Sequence, residues 1–464
     1  MKLREAMEGL YDVLIIGGGL SGLSAAHFMH KHIPEANLCI LEKSTRSGGA
    51  VKSFKMEGFQ GEWGPHGFLD NTRESQELLH DTGLYEEAQR APLGDFYRYV
   101  CHHGKITRLP QSLKTVLQTP LVSMSGKLRV FADLWKKPKS EDQTIGEWVA
   151  YRFGKELLPL VDAAVSGSFA GDYTRLSIDA VMPGVRQLEK DSGSLLRGLI
   201  RKKKASRTKE KLGRLPSMLN FPEGMEKLIA VLTEGERIEY DTLVQSINKN
   251  EHWEVQTDKG RLSAKDIIVA VPVNQALQLL SPIKIPPVSC IPVAKIINVV
   301  LGFTNSAKVP YGFGYLAPER EHRFTLGTMF TSHMFPDRAP DGHVLIEALV
   351  GGRRHPERLE LSDKELIEQV YADISQLIEM PEPPVFTHVL RPDHAIPQLE
   401  MDHPKLLKWR RRVEDENPGL HICGFGWDGI GMNDMIRSAS KTVLAVKAGG
   451  ARGVDEAKVK PVYF

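Results

Sequence analysis

The apolar run Val13-Leu14-Ile15-Ile16 breaks directly into Gly17-Gly18-Gly19-Leu20-Ser21-Gly22, and a second run, Leu38-Cys39-Ile40-Leu41, ends on Glu42. A strand, a GxGxxG turn, a helix from Leu23 onward and an acid about 20 residues on form the fingerprint of a dinucleotide-binding βαβ unit. Each part has a physical reason. Gly17 permits the tight turn, Gly19 lets the backbone approach a pyrophosphate, and Gly22 allows close helix–strand packing. The positive end of the helix faces the phosphates. Glu42 is placed to hold the adenosine ribose hydroxyls. Glycine-rich turns alone are common, but strand, helix and acid together are specific.

The segment after Glu42 bears on which dinucleotide. Lys43 to Gly49 reads Lys-Ser-Thr-Arg-Ser-Gly-Gly, so a second glycine pair and Arg46 return to the phosphate region. An NAD domain usually continues with another βα unit; this pattern suits a long, permanently held ligand such as FAD. Gly61-Glu62-Trp63-Gly64-Pro65-His66-Gly67-Phe68 then suggests backbone laid against a flat ring, although an ordinary turn reads similarly.

A length of 464 residues predicts roughly three domain-sized units. The net charge of +2 lacks the concentrated basic face of a nucleic-acid binder. Cys39, Cys101, Cys290 and Cys423 lie far apart with no CxxC, which points to reduced thiols, a cytoplasmic location and no metal site. No apolar signal segment precedes the first strand, and no run reaches the roughly 20 apolar residues of a membrane span.

The first nucleotide unit runs from about Tyr11 to Glu86, with a helix over Thr72 to Leu84 burying Leu78, Leu79 and Leu84. Phe96 to Leu109 reads as a hairpin turning at His103-Gly104. Pro110 to about Ile200 is helical. Arg201-Lys202-Lys203-Lys204 opens a basic stretch to Arg214, read as a solvated loop rather than a binding patch. From Phe221 the chain returns to α/β: a helix over Gly224 to Leu232, then strands at Leu243 to Asn248, Trp253 to Thr257 and Asp266 to Val271. Further strands are expected at Ile296 to Phe303, Gly314 to Leu316, Phe324 to Phe330, Val344 to Val350, Val385 to Leu390 and Leu420 to Cys423. A helix covers Asp363 to Leu377, and Asn433 is the candidate N-cap of a last helix reaching about Ala448. The expected fold is α/β with α+β elements: a Rossmann-like FAD domain into which a mixed-sheet substrate domain and a helical domain are inserted. Residues 1–90, 215–290 and 391–464 make the FAD domain, 91–109 and 291–390 the substrate domain, and 110–214 the helical domain.

Narrower blocks carry a family resemblance. Ser166-Gly167-Ser168-Phe169-Ala170-Gly171-Asp172, followed by Leu176-Ser177, Pro183, Glu189 and Ser194, resembles the SGVYAGD block of the flavin-dependent protoporphyrinogen and coproporphyrinogen oxidases. These belong to the wider amine oxidase and phytoene desaturase superfamily. Gly312 to Leu316 with Pro318, Leu326-Gly327-Thr328, Phe335 to Pro340, Gly351-Gly352, Ala395 to Gln398 with His403, and Gly429 to Asp434 resemble further family blocks. The match runs almost end to end.

The resemblance implies non-covalent FAD held by Gly17, Gly18, Gly19, Leu20, Ser21, Gly22, Glu42, Lys43, Arg46, Gly49 and Ala50. It adds Gly64, Pro65, His66 and Gly67 by the flavin, Val244 by the adenine, and Ile430, Gly431 and Met432 at the final helix start. Leu316, Met329 and Leu349 match the apolar clamp on the tetrapyrrole, and Arg98 its propionate partner. Each has a plainer reading: core residues for the three apolar side chains, an exposed hairpin residue for Arg98. The implied reaction is oxidation of protoporphyrinogen IX to protoporphyrin IX by molecular oxygen, giving hydrogen peroxide. Coproporphyrinogen III is the alternative substrate. The resemblance also implies a peripheral membrane contact around Leu113 to Trp135, on the inner face of the cytoplasmic membrane, and the next heme-pathway enzyme as a candidate partner.

Three positions depart from the pattern. Leu349 stands where plant relatives carry an aromatic residue, and Leu399 replaces a tyrosine often found after the IPQ sequence. Lys295 stands where amine oxidases place a lysine near flavin N5. Lys295 therefore favours an amine oxidase as first rival, although no tyrosine pair supplies the aromatic cage and Trp427 alone is a poor substitute. A flavin-bound scaffold without turnover is the second rival. The flavin does the redox work in the leading reading, so no Ser/His/Asp or Cys/His arrangement is needed.

Overall fold

Leu10–Ile16 is the parallel centre of a seven-stranded sheet, because its side chains are buried on both faces from Val13 onward. The computed structural model describes residues 9–111, 115, 118–206 and 216–450. In the sheet the order is Ile238–Glu239, Leu38–Leu41, Leu10–Ile16, Gly260–Val269, Trp253–Thr257 and Val244–Lys249. Leu420–Ile422 adds parallel to the end of Gly260–Val269. Strands from distant parts of the chain thus complete one sheet.

Helices cover both faces. Leu20–His32 and Met432–Ala448 pack together on one side with Leu23, Phe28, Met29, Ile436 and Val443 in the core. Val273–Leu280 and His403–Glu416 cover the other with Leu277, Leu280, Leu406 and Val413. Each of these fully buried aliphatic side chains contributes roughly 1.5–3 kcal/mol. His30, Lys31 and His32 close the last turn of Leu20–His32, where positive charge suits the helix dipole.

A second seven-stranded sheet has the order Phe386–Leu390, Ile296–Thr304, His343–Gly351, Gly327–Met329, Gly314–Leu316, Arg98–His102 and Lys105–Arg108. Its far face buries Val299, Ile346, Ala348 and Tyr315 with Leu366, Val370 and Ile374 of the helix Asp363–Ile374. The helical segments Met124–Val130, Ile145–Arg152, Leu158–Phe169, Pro183–Ser192 and Leu195–Ser206 form a third part. Its centre holds Arg152 against Asp133 at 2.8 Å and against Glu189, which also accepts from Trp148 and Arg186. These are fully buried charges paired as a network.

The structure corrects three expectations. The strand expected over Phe324 to Phe330 is only Gly327–Met329, because the Phe324 and Thr325 amides donate to the Asp373 carboxylate instead. Asn433 is not the N-cap of the last helix; Gly431 is, and the Asn433 side chain donates to the Leu69 carbonyl at 2.8 Å and accepts from Ser75 at 2.6 Å. Arg201 to Lys204 lie in the helix Leu195–Ser206 rather than a loop, and residues 207–214 of that basic stretch lie outside the described residues.

Candidate active site

The glycines of the first turn divide into filled and open positions. Gly17 sits at φ +106°, and a Cβ there would lie 2.9 Å from Val271; at Gly22 it would lie 1.9 Å from the Gly17 carbonyl oxygen. Neither position admits a side chain. At Gly19 a Cβ meets nothing within 4 Å. Gly19 is also the N-cap of Leu20–His32, with no side-chain cap and no acid in the first turn, so the leading amides lack intrahelical or capping acceptors among the described residues. The Ser21 hydroxyl, only 3% exposed as a residue, has no hydrogen-bond partner among the described residues. Open space, unpaired donors and a positive helix end coincide, which fits a pyrophosphate.

Around this cradle the chain folds back on itself. Glu42 accepts from the Gly18 amide at 2.7 Å and the Ser44 amide at 2.8 Å, and its oxygens keep lone pairs for ribose hydroxyls. Gly48 donates to the Gly18 carbonyl at 2.8 Å, which sets Gly49 beside Gly19. Arg46 pins its own loop by donating to the carbonyls of Ser47, Val51 and Gly49. Lys43 is exposed. A Cβ on Gly64 would lie 2.1 Å from the Ala50 carbonyl, and one on Gly67 would lie 2.5 Å from that of Leu219. The Gly64–Gly67 backbone, with Pro65 and His66 half-buried, is therefore wedged between two others. Val244 is half-buried before a bulge in its strand. Ile430 and Gly431 lead into the last helix, where Met432 shares a core with Leu20.

The ladder of the second sheet decides where the expected substrate residues stand. Arg98 is level with Gly314, Gly314 with Met329, and Met329 with Glu347. Two residues along, Leu316 is level with Gly327 and Gly327 with Leu349. With a side-chain period of two, Arg98, Leu316, Met329 and Leu349 share one face. All four are half-buried, unlike the other face, which is closed by Asp363–Ile374. The Arg98 guanidinium makes no hydrogen bond or ion pair with any described residue; its Nε is occluded and burial pulls its pKa down. Gly167 lies against Leu316, at 2.6 Å from an added Cβ, and Gln398 donates to the Phe169 carbonyl at 2.9 Å. Three of the motif blocks therefore meet at this face.

Sequence reasoning missed a polar cluster on the same face. Glu347, 1% exposed, receives His66 Nε2 at 2.8 Å and also accepts from Asn298. Asn298 also donates to the Glu62 carbonyl at 3.2 Å. The Glu62 carboxylate is buried with Arg338 at 3.7 Å and accepts from Asn220 and Ser53. Burial holds the Glu62 carboxyl above its ordinary value despite those partners. Burial opposes charge on Glu347 most strongly, but His66, Asn298 and Thr331 together keep the carboxyl below its ordinary value. The available signal was one acid inside the apolar strand Val344 to Val350.

The three departures are placed as follows. Lys295 is exposed between Val293–Ala294 and Ile296–Thr304, with its carbonyl accepting from Gly352 at 2.8 Å. Leu399 is buried, and its carbonyl accepts from Ser177 at 2.9 Å. Trp427 is wholly buried in the core beneath the nucleotide sheet, so it is no part of an aromatic cage.

Known proteins resemble this chain in sequence and fold. The family described as flavin containing amine oxidoreductase matches residues 20–446. A coproporphyrinogen III oxidase of Bacillus subtilis (strain 168) is 27% identical across 94% of this chain and 98% of its own length. A chloroplastic protoporphyrinogen oxidase of Nicotiana tabacum is also 27% identical, across 94% of this chain and 85% of its own. A crystal structure from Exiguobacterium sp. 255-15 shares the fold with a TM-score of 0.78 at 24% identity, covering 95% of this chain and 100% of that one.

Proposed function

The chain belongs to the flavin containing amine oxidoreductase family and is an FAD-dependent oxidoreductase, and from that premise we propose that it oxidises a porphyrinogen to its porphyrin, with oxygen as acceptor and hydrogen peroxide as product. Protoporphyrinogen IX is the first substrate assigned. The observation that carries the reading is the single sheet face presenting Leu316, Met329 and Leu349 beside Arg98. A flat apolar ring calls for apolar walls, and its carboxylates call for a cation at the rim. Arg98 is a half-buried cation with no acidic partner among the described residues, as a propionate site requires.

FAD, when bound, supplies the two-electron acceptor. The protein's share is to orient the ring, keep the face dry and match its charge. Gly17, Gly18, Gly19, Ser21, Gly22 and Glu42 would hold the dinucleotide end, and Gly64 to Gly67 would face the ring system. Coproporphyrinogen III is a second reading, favoured by aliphatic Leu349, which leaves a roomier clamp, and by the Bacillus relative. A peripheral membrane contact is supported by Met124, Leu128, Phe131 and Trp135, all more than half exposed at helical spacing. No described helix is long and apolar enough to cross a membrane, and Leu113, where that contact was expected to start, lies outside the described residues.

The test is anaerobic reduction of the enzyme's flavin by each porphyrinogen and, separately, by amines. Rapid bleaching by a porphyrinogen and none by amines is expected. The reverse result would make Lys295 the mark of an amine oxidase, and no bleaching by either would leave a scaffold.

A further inference from the structure

We propose that His66, oriented by Glu347, accepts the pyrrole N–H proton of the substrate during oxidation. This rests on the porphyrinogen reading above. Glu347 is the acid in the apolar strand His343–Gly351, level with Met329 and two residues before Leu349, so its side chain lies on the substrate face. His66 comes from the other direction, in the Gly64–Gly67 backbone wedged beside Ala50 and Leu219. Their 2.8 Å contact is where the cofactor segment and the substrate face meet.

The contact also selects a tautomer. An ionised carboxylate only accepts hydrogen bonds, so the 2.8 Å approach puts the imidazole hydrogen on Nε2. In the neutral ring the lone pair then resides on Nδ1. Among the described residues Nδ1 has no hydrogen-bond partner, and it is not among the occluded polar atoms; the ring is 11% exposed. A carboxylate fixing a histidine so that the opposite nitrogen is basic is the arrangement that activates general bases in other sites. Glu347 is a positioning residue here, and Asn298 holds it from the neighbouring strand.

The step balances on the substrate. The methylene C–H pair leaves as hydride to the two-electron acceptor of the proposed reaction. The N–H bond breaks with its electrons remaining to form the new C=N bond, and the proton passes to Nδ1. Substrate loses two hydrogens and two electrons in each such round. Four groups face the ring: Glu347 and Asn298 from two strands of the substrate sheet, Glu62 from Phe59–Glu62 and Arg338 from Pro336–Arg338. Burial and Arg338 disfavour the imidazolium, whereas Glu347 and then Glu62 favour it more strongly, so the His66 pKa lies above its ordinary value. The base is therefore lost as pH falls through that raised value.

The test compares holoenzyme with His66→Gln and Glu347→Gln by anaerobic single-turnover oxidation of porphyrinogen across pH, together with a titration of isotope-labelled histidine by NMR. The His66 signal is assigned by its loss in His66→Gln. His66→Gln is expected to slow the oxidation about a hundredfold on the alkaline plateau with KM little changed, and to erase the acid limb. Glu347→Gln should move that limb to lower pH, with the His66 titration moving alongside it, because the favouring charge is gone. An unmoved limb in both variants, or a His66 that titrates below its ordinary value in the parent, overturns the proposal and leaves the pair a structural tie. If the parent oxidises amines and no porphyrinogen, the porphyrinogen reading fails first, and the NMR titration still reports whether Glu347 sets the tautomer.

Discussion

Replacing Glu42 by alanine separates two sets of hydrogen bonds made by one carboxylate. Two are internal: the Gly18 amide at 2.7 Å and the Ser44 amide at 2.8 Å. With the residue 8% exposed, each is a charge-assisted bond in poor contact with water, worth about 1.5–3 kcal/mol. Water reaching the cavity left by alanine restores part of that, so the FAD-free protein should lose about 2–4 kcal/mol of stability. The other set, to the ribose hydroxyls, exists only with FAD bound. Its loss should raise the FAD dissociation constant roughly ten- to a hundredfold. Glu42→Gln keeps one acceptor oxygen for Gly18 and should fall between. Urea unfolding of the FAD-free proteins reads the first effect, and fluorescence titration of flavin into them reads the second. If the dissociation constant is unchanged while stability falls as calculated, Glu42 only braces the turn, and the ribose is held elsewhere.

Other outcomes follow from the same geometry. Acid precipitation should release all the yellow colour, because no cysteine stands between Ala395 and His421 to link the flavin; colour in the pellet would refute this. Lys295→Met should slow stopped-flow reoxidation by oxygen if the lysine reaches the flavin, since a positive charge favours the superoxide-like step; an unaffected rate assigns it to the exposed surface it occupies here. Arg98→Ala should raise KM for porphyrinogen about tenfold with kcat unchanged, the sign of a contact that binds ground and transition states alike. Steady-state kinetics with an amide-capped porphyrinogen checks it: that substrate should not discriminate parent from variant.

What could be read before the fold was known was local. The run Val13 to Ile16 with its glycines and Glu42 defined the nucleotide unit because strand, turn and acid are neighbours in sequence. Leu316, Met329 and Leu349 come to one face through three strands that pair across the sheet, a register no stretch of sequence displays, so only the resemblance pointed to them together. The helix His403–Glu416 was passed over although Leu406, Trp409 and Val413 recur at helical spacing. Lys408, Arg410, Arg411 and Arg412 lower its mean hydropathy, and the burial of Arg410 depends on distant partners, the Asp428 carboxylate at 2.8 Å and the Trp427 ring. Asn433 looked like a cap because its residue type suits one, but its side chain was already engaged by Leu69 and Ser75 far away in sequence. His66 and Glu347 lie 281 residues apart, and no window of sequence connects them.

The same long-range pairing governs how the chain reaches its native state. Gly314–Leu316 lies parallel to Arg98–His102, and Leu420–Ile422 completes a sheet whose centre is Leu10–Ile16. Such pairings carry high contact order, and the loop-closure entropy must be met before the contacts reward it. A chain made only to a point before residue 422 lacks a strand of the nucleotide sheet and leaves the Ile267–Val269 end of Gly260–Val269 open on one side. The nucleotide sheet is therefore complete only once Leu420–Ile422 has joined it, and the helix Met432–Ala448, whose start is an expected flavin contact, follows that strand in the chain.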